Sequence, residues 1–177
     1  MTEDRAHGAD RASVKAFPPP QSERGTWHTI TRIEKYHDGR EPDGHPDDVV
    51  EVEGNLLCNA GIAVMLDLLA VDGAAGTGYT NGVLAHLAVG SGVTGADPTD
   101  TTIETQWEDY HTASATVTNQ SVAFSATFAN GHATGAWNEV GVFNAAVAGA
   151  MLNHVVSALG TKDIAATWVL TITITIS

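Results

Sequence analysis

The chain has 177 residues, 43% of them hydrophobic, enough to bury the core of one domain with an extension and too few to require a second. Its 18 glycines and its many alanines and threonines favour a β-rich, turn-rich fold over a helical one. Twenty-one acids against eight Lys and Arg leave a net charge of −13, a field that repels phosphate backbones and anionic membrane surfaces.

The charge is unevenly distributed. Residues 1–40 hold seven of the eight basic residues and carry +1, whereas 41–177 set Lys162 against fifteen acids and carry −14. Nucleic-acid binding by this body is therefore not expected. Cys58 is the only cysteine, so neither an internal disulfide nor a cysteine-based metal site can form, and it reads as a buried small apolar residue. No charged segment followed by an apolar run opens the sequence, and no stretch approaches the roughly 20 apolar residues of a membrane span. Synthesis in the cytoplasm without membrane insertion is expected.

Residues 1–25, with Pro18, Pro19 and Pro20 among charged and small polar residues, read as an extended arm that cannot bury enough apolar surface to fold alone. Residues 26–53 read as a strand-forming linker and docking segment. Within it Thr26–Tyr36 alternates as a strand, with the character of an edge, and contains Trp27, Ile30 and Ile33 beside Arg32 and Lys35. The segment 37–48 is a loop by its Gly, Pro and Asp content. Asp38, Asp43, Asp47 and Asp48 there could offer carboxylate oxygens to calcium, but the order of ligands and the closing glutamate of an EF-hand are missing. Val49 onward gives a second short strand.

From residue 54 to 177 the chain reads as one β-sandwich. Asn59 is placed to cap a helix over about 59–71, along which Ile62, Met65, Leu66 and Leu69 fall on one apolar stripe. A glycine-rich loop, 72–82, leads to an apolar strand over 83–89 and a turn-rich loop over 90–102. A strand over 112–118 follows Trp107 and Tyr110. Val122, Phe124, Ala126 and Phe128 alternate in the next strand, and Asn130-Gly131 marks a hairpin turn to a partner over 136–143. Strands over 151–158 and 167–177 close the chain, the last alternating Trp168, Leu170, Ile172, Ile174 and Ile176 with threonine and valine. About eight strands at this spacing predict a mainly β fold, a two-sheet sandwich of jelly-roll type with one helix and an N-terminal arm.

No catalytic, cofactor or metal constellation is legible. The eight histidines form no i, i+4 helical pair and no His-x-His strand pair. The VGSGVTG run, Val89–Gly95, lacks the lysine of a phosphate loop, and Ser91 lacks the spacing of a nucleophile elbow. Trp137, Asn138 and Glu139 have the residue types of an active-site trio. On a regular strand, however, Trp137 and Glu139 face one side and Asn138 the other, and a lone acid there is expected to bond backbone or a neighbouring subunit. Lys162, the one cation of residues 41–177, is its expected partner, within a subunit or across an interface.

Several ordered motifs carry a resemblance. They are Asn55–Gly61 (NLLCNAG), Val89–Gly92 (VGSG), Ala136–Ala145 (AWNEVGVFNA), and Leu152–Ser177 with its LGTK and TWVLTITITIS stretches. They resemble a family of structural proteins of tailed phages and archaeal tailed viruses, over roughly two thirds of the chain from Glu53 onward. The resemblance marks Asn55, Asn59, Gly61, Trp137, Asn138, Glu139, Gly160, Lys162 and Trp168 as family-motif positions. It implies a non-enzymatic virion component, at the capsid surface or on the tail, with other virion proteins as partners and a homo-oligomer, by default a trimer. The acidic, lysine-poor composition matches proteins that fold in high salt and leads us to expect a haloarchaeal virus. Docking is expected through the arm and through Arg24, Trp27, Arg32 and Lys35, because basic and aromatic side chains anchor interfaces. A carbohydrate-binding module is the alternative, with Tyr79, Trp107 and Tyr110 as stacking platforms for a host surface glycan.

Overall fold

The computed structural model describes residues 26–70, 78–105 and 111–177. Among these residues lie ten strands and one helix: β1 (Trp27–Tyr36), β2 (Asp48–Glu53), β3 (Leu56–Leu57), α1 (Asn59–Ala70), β4 (His86–Gly90), β5 (His111–Thr112), β6 (Ser114–Thr118), β7 (Ser121–Phe128), β8 (Gly135–Phe143), β9 (Met151–Lys162) and β10 (Thr167–Ile176). They form two antiparallel five-stranded sheets, ordered β2-β1-β10-β7-β6 and β3-β9-β8-β4-β5. The two share one core as a β-sandwich.

The alternation of β10 sets that core. Trp168, Leu170, Ile172 and Ile174 point inward, opposite Phe128, Ala126, Phe124 and Val122 of β7. The facing sheet supplies Leu87 and Val89 from β4, Trp137, Val140 and Val142 from β8, and Leu152, Val155 and Leu159 from β9. Trp137 bridges the sheets, edge-on to both Trp168 and Phe128 with ring centroids 4.9 Å apart in each pair, the geometry that aromatic quadrupoles favour.

β1 is not an edge strand. It lies between β2 and β10 with Ile33 opposite Leu170, so the segment 26–53 belongs to the sandwich. Its inward residues are Thr29, Thr31, Ile33 and Lys35, whereas Ile30 faces out. The edge role falls to β2, whose Asp48, Glu51 and Glu53 suit an exposed strand that must not pair further.

Two connections depart from the sequence expectation. The stretch expected as one strand over 112–118 bends at the buried Ala113 and passes from one sheet (β5) to the other (β6). Asn130-Gly131 does not close a hairpin, because β7 pairs with β6 and β10 while β8 lies in the opposite sheet; Gly131, at φ +80°, turns a crossing between sheets. The tight hairpin is instead β6–β7, with Thr118 opposite Ser121 and Asn119 at φ +53° in the two-residue turn. Val83 and Leu84 belong to a turn, their amides and that of Ala85 all bonding the Thr80 carbonyl.

α1 packs on β9 through Gly61, where an added Cβ would stand 2.5 Å from the Leu152 Cα. This contact rotates the expected stripe: Ile62 and Met65 are half-buried, while Leu66 and Leu69 are 58% and 84% exposed. Cys58 takes the helix entry, its carbonyl accepting from the Ile62 amide. Asn59 therefore stands one residue inside the helix instead of capping it, and its own amide donates to the Pro98 carbonyl.

Candidate functional site

The polar centre of the described structure is a carboxylate–imidazole–carboxylate chain on the outer face of the β4–β8–β9 sheet, beneath the loop 91–105. Between Trp137 and Glu139 the partner on β9 jumps from Gly160 to Val156, a bulge-type irregularity that re-aims side chains. Trp137 lies in the core before it, and Val140 and Val142 lie in the core after it. Glu139 consequently turns to the opposite face from Trp137, contrary to the regular alternation read from the sequence.

Glu139 is 1% exposed and its carboxylate is saturated. Oε1 accepts from the amides of Gly92 (2.7 Å) and Thr105 (2.9 Å). Oε2 accepts from the Glu104 amide (2.9 Å) and meets His154 Nε2 at 3.2 Å. Each oxygen thus has two polar partners. The other ring nitrogen of His154, Nδ1, lies 2.8 Å from Asp100 Oδ2. Asp100 is in turn held below the ordinary carboxylate range, chiefly by the Asp97 amide at 2.8 Å and also by His154, with burial opposing.

The sequence motifs explain how the loop comes this close. Side chains at Gly90 and Gly92 would collide with Glu139, and at Gly90 also with the Thr105 carbonyl and Ile103. The VGSG run is therefore a pair of clearances over a buried carboxylate. Asn138 donates to the Ser91 carbonyl at 3.1 Å, Ser91 donates to the Thr105 carbonyl, and Ile103 packs with Cys58, Ala88, Phe143 and Met151. The far end of the loop is the turn Asp97-Pro98-Thr99-Asp100, in which Asp97 Oδ1 accepts from the Thr99 amide and hydroxyl. A polar recess of about 320 Å³ lies alongside, lined by Thr94, Thr99, Asp100, Thr102, Glu104 and His154.

As chemistry, this arrangement fastens the loop 91–105 to the sheet. Both nitrogens of His154 are engaged by carboxylates, which leaves no lone pair directed at a hydroxyl or thiol as nucleophilic catalysis needs. Burial, with the Asp100 charge adding to it, pushes the Cys58 thiol up to about 11, away from the thiolate. Among the described residues no group of three or more His, Cys, Asp or Glu is arranged to hold a metal ion. In the 37–48 loop Asp43 and Asp47 pair with Arg40, and Asp48 pairs with Lys35.

Lys162 is not the partner of Glu139. It sits opposite Gly135, four residues up the strand or about 13 Å away, and its Nζ donates to the Ala129 carbonyl at 2.9 Å. The remaining motif residues also have structural tasks. Asn55 Oδ1 accepts from Trp27 Nε1 at 3.1 Å. Gly160, at φ +118°, leaves room for Lys35 Nζ, which stands 4.7 Å above the Trp168 ring as a cation–π contact. His154 and Asp100 were not legible as a pair: 54 residues separate them, and only the β8–β9 register, with Gly141 opposite His154, brings the imidazole to Glu139.

The expected docking residues are largely occupied within the chain. Lys35 is 7% exposed and 3.2 Å from Asp48. Arg32 pairs with Glu34 and Glu51, and Trp27 is half-buried. Arg24 lies outside the described residues. So do Trp107 and Tyr110, while Tyr79 packs edge-on to Phe124 and donates to the Ala150 carbonyl at 3.2 Å. Tyr79 is half-buried, so one edge of its ring is spent on the fold. A scan against protein-family models and searches of curated proteins and of solved structures found no match to this chain.

Proposed function

We propose that this chain is a non-enzymatic structural component of a tailed virus particle, an oligomeric surface protein of the capsid or of the tail that docks through its N-terminal arm. The observation that supports this reading most is the saturation of Glu139: the one buried acid of the AWNEVGVFNA motif is spent on fastening a loop to a sheet. The other motif residues also pack, clear space or bond backbone, as expected of a chain selected for shape.

The docking part of the arm contracts to residues 1–25, because β1 and β2 are built into the sandwich. The jelly-roll assignment belongs to the same proposal. It rests on the first strand pairing with the last, as β1 does with β10, while the β6–β7 and β8–β9 hairpins that each stay in one sheet depart from that pattern. The halophilic setting rests on composition: residues 26–177 hold four basic and seventeen acidic side chains. Tailed particles purified by density gradient from cultures that make this protein are expected to contain it in many copies per particle, measured by quantitative mass spectrometry. A chain that stays wholly in the soluble fraction while intact particles sediment without it would refute the proposal.

A further inference from the structure

Where the chain enters the sandwich, one end carries an open apolar groove of about 450 Å³. One wall is formed by Trp27 at the start of β1, Ile174 and Ile176 at the end of β10, and Val122 at the start of β7; Met65 of α1 and Leu152 of β9 form the other. Among the described residues its lining is uncharged, with Asn119, Gln120 and Ser121 as its polar part, although this is a body with seventeen acids over residues 26–177. Its rim exposes large apolar side chains, Ile176 at 51% and Val117 at 75%, and such patches on a soluble fold mark surfaces that something covers. The Trp27 ring is held in place by its bond to Asn55.

The preceding chain carries a segment of matching chemistry. Residues 1–25 contain a single Phe, Tyr or Trp, Phe17, followed directly by Pro18, Pro19 and Pro20. Three prolines have no N–H to desolvate and favour the extended polyproline conformation, which docks in grooves walled by aromatic side chains at little entropic cost. Thr26 exchanges backbone hydrogen bonds with Ser177 (2.6 and 3.0 Å), which fixes the chain at the groove's rim. Residues 21–25 can span at most about 17 Å, and the groove runs across three strand spacings from β1 to β6, about 14 Å.

We propose that Phe17–Pro20 of the same molecule packs into the groove lined by Trp27, Met65, Val122, Leu152, Ile174 and Ile176. The short tether gives the segment a local concentration in the millimolar range, above that of a second copy at ordinary protein concentrations. The inference does not rest on the virion reading, but it narrows the part of the arm left for docking to residues 1–16.

The test uses the full chain with Phe17→p-benzoylphenylalanine, a photoreactive residue of similar shape. Irradiation is expected to give a product of monomer mass whose cross-links map by peptide mass spectrometry to Met65, Val122, Leu152, Ile174 or Ile176. Adding Val117→Asp or Ile176→Asp, both at exposed rim positions, is expected to lower that yield about tenfold while the circular-dichroism spectrum stays that of the parent. Cross-links mapping elsewhere, an undiminished yield in both rim variants, or a product of dimer mass would each overturn the proposal, the last by assigning the groove to a neighbouring copy.

Discussion

Glu139 concentrates the argument at the scale of single residues. Removing its carboxylate with Glu139→Ala leaves the buried amide of Gly92 and the part-buried amides of Glu104 and Thr105 without this acceptor, and His154 with one partner instead of two. Leaving the buried Gly92 amide without an acceptor costs about 1–3 kcal/mol. The denaturant midpoint is expected to fall accordingly, and amide exchange in 91–105 to accelerate more than in the sheets. Cys58 gives a second test: with its thiol pushed up to about 11 by burial, it is expected to resist a thiol reagent at pH 8 in the native protein and to react once the chain is unfolded. The sequence already indicated that Glu139 would bond backbone and that Cys58 would be buried. It did not indicate His154 or Asp100, because their meeting depends on strand register and on an irregularity at Asn138 that no spacing rule encodes.

Elements were legible where their periodicity is strong and local. β10 and β7 follow from alternation alone, and α1 lies where its apolar run places it, although its stripe and its cap both differ from the expectation. What failed was partnership. Asn130-Gly131 carries the residues of a hairpin turn, yet β8 joins the other sheet because Trp137, Val140 and Val142 fill the core across from β7 and β10. β1 reads as an edge in the sequence because polar Thr29 and Thr31 occupy its inward face. Thr31 is fully buried and its hydroxyl finds no partner among the described residues, so Thr31→Val removes an unsatisfied polar atom at constant shape. It is expected to stabilise the fold by about 1 kcal/mol in a chemical denaturation series. Gly61→Ala is expected to act in the opposite direction, by about 1–3 kcal/mol, because Leu152 backbone occupies the space a methyl group would need.

Over the whole molecule, charge governs the response to solvent. Asp43, Asp47, Asp48, Asp97 and Asp100 are all held below their ordinary value: Asp43, Asp47 and Asp100 chiefly by backbone amides, Asp48 by Lys35, and Asp97 by the Thr99 hydroxyl. A depressed carboxylate binds fewer protons folded than unfolded. Its contribution is therefore complete above the unfolded value near pH 4 and is lost as pH falls through the lower folded values. At fixed molar salt, thermal stability is expected to be insensitive to these groups above pH 5 and to drop below pH 4. Raising salt at pH 7 is expected to raise the melting temperature. Screening relieves the repulsion among the 21 acids of the chain, while the surface pairs it weakens, such as Arg40 with Asp43, are worth at most about 1 kcal/mol each. The most direct measurement of the structural role is the mass of the full chain and of a variant lacking residues 1–25, by light scattering in molar salt. A defined oligomer that survives the deletion is predicted, with self-association built into the sandwich and the arm left for docking. A monomer in both would contradict the account.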